Sequence, residues 1–218
     1  MWHRIRQALP LIEQFRQYLH AQLGLDYEEL RILDSLPIPV ATSTSRRGRG
    51  KGFDVAEGGY CASKKLSYHG FKLGLLMTDP GIPDGYDLFS ARPHDVRLLD
   101  ELLAEAEQLI TFGDKGFICQ VRRARLAREQ QVYLITYRRA NQKEQNTPLE
   151  KWALAQFRQL IETLFSQLSG HMHLQNCGAK TDLGLVKRVA GIITAFTLGI
   201  YLNFLLGRHL LAIKELFA

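Results

Sequence analysis

The chain has 218 residues, 46% of them hydrophobic and 23% charged, a composition that supports one sizeable core and excludes disordered and low-complexity classes. Its 28 basic against 22 acidic residues leave a net charge of +6, which tilts the expected partner toward a polyanion, with nucleic acid the first candidate. The three cysteines, Cys61, Cys119 and Cys177, form no CxxC pair, which excludes a zinc ribbon or a disulfide framework and points to a reducing, cytoplasmic setting.

Residues 5–23 place Ile5, Leu9, Ile12, Phe15 and Leu19 at three- and four-residue spacing, an amphipathic helix that Gly24 ends. The basic start of this segment leads into no apolar run of secretory type. Residues 30–34 read as a brief strand with Asp34 at its end, since Pro37 and Pro39 keep the following chain extended and outside a central ladder. Residues 42–52 are small, polar and basic, with Arg46, Arg47, Arg49 and Lys51. Such a loop is solvated, and it also suits contacts to phosphates without reading sequence.

Phe71, Leu73, Leu75 and Met77 alternate on one face of a half-buried strand, and a turn at residues 79–81 returns the chain through residues 86–90 as a hairpin. Residues 93–95 start a helix that points Leu98, Leu99, Leu102, Leu103 and Ala106 inward, with His94 and Asp95 as its cap. Residues 109–117 then form a short apolar strand that stops at Gly113 and delivers Asp114 into a Lys-Gly turn. An open sheet places its chemistry at such carboxyl ends, although Asp-Lys-Gly is also ordinary turn chemistry.

Residues 118–130 read as a helix carrying Arg122, Arg123, Arg125 and Arg128, and residues 132–137 as a strand followed by Arg138 and Arg139. Thr147, Pro148 and Glu150 have the order of a capping box with proline at the first helical position. The helix they start runs to about residue 168, buries Leu154, Phe157, Ile161, Leu164 and Leu168, and carries Arg158 and Glu162 four apart on a neighbouring stripe. A last helix covers about residues 183–206. Its apolar run, residues 189–207, approaches spanning length, but Thr194, Thr197 and Asn203 interrupt it and no second such segment accompanies it; it reads as a buried core helix. The order of elements gives one mixed α/β domain. His171, His173 and Cys177 lack both zinc spacing and a fourth ligand.

Asp34, Asp114 and Glu162 therefore stand in singular places: two after strands and one on a long helix. Converging carboxylates can hold two divalent cations about 3.5–4 Å apart for attack on a phosphodiester. Taken alone the triple is weak, because with 22 acidic residues some such series always exists. The flanking residues add to it: Leu-Asp-Ser-Leu-Pro-Ile-Pro-Val around Asp34, Phe-Gly-Asp-Lys-Gly-Phe around Asp114, and Arg-Gln-Leu-Ile-Glu-Thr-Leu-Phe around Glu162. With His-Gly-Phe-Lys-Leu at 69–73 and Pro-His-Asp at 93–95, they resemble the DDE transposases of bacterial insertion sequences, specifically the IS nine-eighty-two type. The resemblance spans about residues 31–201.

The resemblance implies an α/β fold, an RNase H-like mixed sheet flanked by helices, with 30–207 as the catalytic domain, 1–29 an N-terminal helical segment and 208–218 a tail. Only 47 residues separate Asp114 from Glu162, too few for the insertion domain some relatives carry. Asp34, Asp114 and Glu162 are implied as catalytic and metal-binding residues for two Mg²⁺ or Mn²⁺ ions, and Arg158 as a contact to DNA phosphate. Further DNA contacts are expected from Arg46, Arg47, Arg49, Lys51, Lys72, Lys115, Arg122, Arg138 and Arg139, although Lys72 and Lys115 read first as solvated. The implied activity is cleavage of transposon ends and 3′-hydroxyl strand transfer into target DNA. It would act on double-stranded DNA at the nucleoid, as a homo-oligomer and with no membrane partner. Ser169 stands where many relatives have Lys, and Ala155 where wider relatives have Tyr. Only 33 residues precede Asp34. These departures carry the alternative: an inactive, N-terminally truncated remnant that at most binds DNA.

Overall fold

The computed structural model describes residues 2–24, 29–41, 52–61, 65–138, 140, 142 and 144–216, with the side chains of residues 2–7 outside the description. A six-stranded mixed sheet lies at the centre. The strands are β1 (Leu30–Ala41), β2 (Glu57–Cys61), β3 (Leu66–Thr78), β4 (Pro83–Ser90), β5 (Ile110–Gly113) and β6 (Tyr133–Thr136). The helices are α1 (Trp2–Gln22), α2 (Leu98–Leu102), α3 (Gln120–Glu129), α4 (Pro148–Gly170) and α5 (Asp182–Leu205). One edge of β3 pairs antiparallel with β1 along most of its length, and the other edge pairs first with β2 and then with β4. Beyond β1 the sheet continues parallel through β5 to β6. This is the mixed sheet flanked by helices expected of an RNase H-like domain.

Alternation along the strands divides the core. Ile32, Leu36 and Ile38 of β1 and Phe71, Leu73, Leu75 and Met77 of β3 face α4 and α5. Leu33 and Leu76 face the other way, onto Leu98, Leu99, Phe117, Leu126 and Leu134. Hence β3 is buried on both faces over its second half, not half-buried as its alternation suggests. A sheet covered by helices on both sides leaves its central strand no solvated face.

β1 also departs from expectation. It continues through both prolines to Ala41, so Asp34 lies inside a long strand, not at its end. The Pro37 carbonyl accepts a hydrogen bond from the Gln175 side chain. In an antiparallel strand a residue's nitrogen and carbonyl point to the same edge, so the absent N–H of Pro37, and of Pro39 two residues on, faces away from β3. On that side the pairing with β5 has already ended at Leu33, and no ladder bond is lost.

The helices follow their caps and stripes with local corrections. Thr147 Oγ1 accepts from the Glu150 N–H at 3.1 Å, and Glu150 Oε2 accepts from the Thr147 N–H at 2.8 Å, which completes the expected capping box. Asn146 ties this start to the end of β6, donating to the Thr136 carbonyl and accepting from the Arg138 N–H. In α1, Leu19 is buried as its spacing predicts, but Phe15 is exposed, and Arg16 and His20 are buried instead. Arg16 reaches the carbonyls of Pro83 and Asp84, while Arg31 pairs with the Asp84 carboxylate at 2.5 Å. α2 is shorter than its leucine spacing predicts, and Ala106 lies beyond it. β2, with adjacent Gly58 and Gly59, has no strand-like sequence signal.

α5 is long and apolar enough to cross a membrane by length and composition, and half of its most apolar window is buried in the protein. Val189, Ile193, Phe196 and Ile200 join the main core, as do Leu211 and Ile213 from the segment after it.

Candidate active site

The last parallel pair between β1 and β5 is Leu33 with Gly113. The next residue is an aspartate in both cases, Asp34 within β1 and Asp114 just past the end of β5, so the two, 80 positions apart in sequence, lie side by side. On β1, Asp34 shares the face of Ile32 and Leu36, the face covered by α4. α4 carries the third carboxylate across this junction: Leu154 packs with Phe112 of β5, and Ile161, Leu164 and Leu168 pack with β1 and β3. Arg158 and Glu162 each follow an inward residue, Phe157 and Ile161, so they lie at the rim of the same face. Asp34, Asp114, Arg158 and Glu162 all line one cleft, with Tyr137 beside them and Ile32, Phe112, Leu154 and Phe157 as its apolar lining.

Asp114 occupies the N-cap position of the short turn Lys115–Phe117, yet its carboxylate makes no capping hydrogen bond. A residue chosen only for that turn would use its side chain there. Asp34 keeps some exposed surface but is deeply embedded among protein atoms. Burial pushes its carboxyl up to about 7; the Asp114 and Asp95 carboxylates add to the push, while the Ser35 N–H and the Arg158 guanidinium oppose it. The Ser35 N–H donates to Asp34 Oδ1 at 2.7 Å.

Glu162 accepts from Arg158 Nε at 2.9 Å, and the two side chains are 61% and 62% exposed. This bond, and after it the charges of Glu162 and Asp114, raise the Arg158 pKa above its ordinary value. Arg158→Ala should change the unfolding free energy, read from urea denaturation, by no more than about 0.5 kcal/mol, because an exposed pair spaced four apart is worth little. A loss well above that would assign Arg158 a packing role.

The oxygen-only donor set suits Mg²⁺ or Mn²⁺, and the suppressed ionisation of Asp34 among like charges is what a bound cation would relieve. Asp34 and Asp114 are the carboxylates that such an ion would use on the sheet side of the cleft. Among the described residues no three acidic, histidine or cysteine side chains are grouped to hold a metal. Glu162 is turned onto Arg158 and must exchange that partner to serve as a third ligand.

The other expected contacts divide. Lys115 is exposed and lies 5.9 Å from the Tyr137 ring centroid. Lys72 is not solvated: its side chain is 15% exposed and its ammonium is 2.9 Å from Asp95 Oδ1. Arg122 is bound to Asp100 at 2.8 Å, and Arg138 to Glu144 at 2.7 Å. Arg46, Arg47, Arg49, Lys51 and Arg139 lie outside the described residues. The sequence reading missed Tyr137 and Asp95 at the site. His94 makes no side-chain cap to the turn that precedes α2, and Asp95 turns toward Lys72 and Ser35. Asp95 itself belongs to the Pro-His-Asp motif at 93–95 that carried part of the family resemblance, and that was the signal available.

Residues 28–198, well over half of the chain, match the family model described as a transposase DDE domain. No curated protein and no solved structure matches the chain.

Proposed function

The chain belongs to the transposase DDE domain family, and from that premise we propose that it is an insertion-sequence transposase, of the IS nine-eighty-two type, that cuts DNA at the ends of its element and joins the freed 3′-hydroxyl to target DNA. The observation that carries this reading is the cleft itself, lined by Asp34 on β1, Asp114 just after the parallel neighbour β5, and Arg158 and Glu162 on α4. Two Mg²⁺ or Mn²⁺ ions held there would activate the attacking oxygen and stabilise the leaving oxygen of a phosphodiester.

The chain's own residues have distinct tasks in this reading. Asp34 and Asp114 would hold the ions from the sheet side, Asp34 in its ionised form. Glu162 would complete the set from α4 once released from Arg158, and the guanidinium would then be free to pair with a DNA phosphate, the pairing its planar fork favours. Lys115 at the mouth adds positive charge along the DNA path. The apolar lining formed by Phe112, Leu154 and Phe157 keeps bulk water from the reacting phosphate and strengthens each charge interaction. Cleavage and joining are both in-line displacements at phosphorus, so one site serves both and no covalent protein–DNA intermediate is required. We assign the reaction to double-stranded DNA at the nucleoid, with a homo-oligomer holding paired ends.

The test is nicking of a plasmid that carries the DNA ends flanking this coding sequence. The full chain should nick at those ends with Mg²⁺ or Mn²⁺ and not with EDTA. Cutting that EDTA leaves unchanged, or no cutting under any metal, would overturn the reading. Arg158→Ala should weaken DNA binding about equally across sequences and lower the log–log salt slope by about one; an unchanged slope would remove Arg158 from the phosphate contacts.

A further inference from the structure

We propose that Asp95 is a positioning residue for the Asp34–Asp114 pair, held in place by Lys72; this rests on the reading of the cleft as a divalent-cation site. Asp95 follows β4 and opens the turn Asp95–Arg97 that leads into α2. Its Oδ1 accepts from Lys72 Nζ at 2.9 Å and from Ser35 Oγ at 3.3 Å. The same ammonium also donates to the Pro93 carbonyl at 2.9 Å, which fixes the chain on both sides of His94. The other oxygen, Oδ2, lies against Gly116, where an added Cβ would sit 2.8 Å from it.

One carboxylate thus touches the residue after Asp34 and the turn just beyond Asp114. The contact to Ser35 passes directly to the site, because the Ser35 N–H donates to Asp34 Oδ1 at 2.7 Å. Groups of this kind orient ligands without touching the ion. A bare carboxylate there would also repel the two aspartates. Lys72 offsets that charge at close range, and its own largely buried ammonium requires a partner.

A purely structural tie between β3 and the 93–95 segment predicts a different result from a positioning role. Removing a tie lowers stability alone, whereas removing a positioning group weakens cation binding in a chain that still folds. Mn²⁺ affinity is read from the electron paramagnetic resonance signal of free Mn²⁺, beside urea denaturation, for the full chain and the variants Asp95→Asn, Gly116→Ala, Ser35→Ala and Asp114→Asn. Asp95→Asn and Gly116→Ala should bind Mn²⁺ roughly 10–100-fold more weakly than the natural chain, the range typical of lost ligand-orienting partners. Ser35→Ala should weaken binding in the same direction, and it supplies the measurement should Asp95→Asn fail to fold. If the natural chain takes up Mn²⁺, Asp114→Asn loses it, and the three positioning variants bind as the natural chain does, this inference is overturned while the site reading stands. If the natural chain takes up no Mn²⁺, or Asp114→Asn binds as well, the cleft reading itself falls.

Discussion

Asp114→Asn should slow divalent-metal-dependent nicking by roughly 10²–10³-fold and leave the fold intact. The substitution keeps the size and shape of the side chain and removes one charged ligand. The Asp114 carboxylate makes no capping bond to its own turn, and its residue is exposed at the cleft, so little structural cost is expected. Loss of several kcal/mol of charge stabilisation at a phosphoryl centre corresponds to roughly a 10²–10³-fold slower reaction. The measurement is the single-turnover nicking rate in Mn²⁺, beside circular dichroism and a denaturation midpoint. Natural nicking by a folded Asp114→Asn chain would remove this residue from the site.

Asp34→Asn should stabilise the metal-free protein, and the gain should grow with pH. The Asp34 carboxyl is raised from 3.8 to about 7 in the folded chain, so between those values the folded chain holds a proton that the unfolded chain has released. Stability from this group is therefore full below about pH 4 and is lost as pH rises through about 7. The asparagine variant has no such loss. Its advantage should be small near pH 4.5 and reach on the order of 2–4 kcal/mol by pH 8, read as the difference in urea unfolding free energy. Added Mn²⁺ should reverse the order at pH 8, because only the natural chain gains by binding it. A variant less stable than the natural chain across the whole range would show that Asp34 is held ionised by partners, contrary to the account of its burial.

The features legible in the sequence are those whose causes are local. Thr147, Pro148 and Glu150 announce the start of α4 because a capping box closes within four residues. The spacing of Leu154, Ile161, Leu164 and Leu168 sets the buried face, which fixes Arg158 and Glu162 at its rim. Asp114 could be read as the end of a strand because Gly113 and Gly116 bracket it. Its nearness to Asp34 could not be derived from local pattern, since it depends on β1 pairing with β5 across 80 residues. There the family resemblance supplied what periodicity lacked.

The failures share one physical origin. Pro37 and Pro39 suggested a strand end because a proline removes a donor, but which edge that donor would have faced is a property of the assembled sheet. Lys72 reads as a solvated charge. It is largely buried because Asp95, distant in sequence, supplies its partner. Asp95 looked like a helix cap for the same reason: its real partners, Ser35 and Lys72, come from two other strands.

Asp34, Asp114 and Glu162 are proposed to form a divalent-cation site together. Its most direct test is anomalous diffraction from crystals of the full chain grown with Mn²⁺. The expected result is a manganese peak in contact with the carboxylates of Asp34 and Asp114, with Glu162 swung off Arg158 toward it. Manganese bound only elsewhere, or a cleft without a peak at saturating Mn²⁺ and neutral pH, would contradict it.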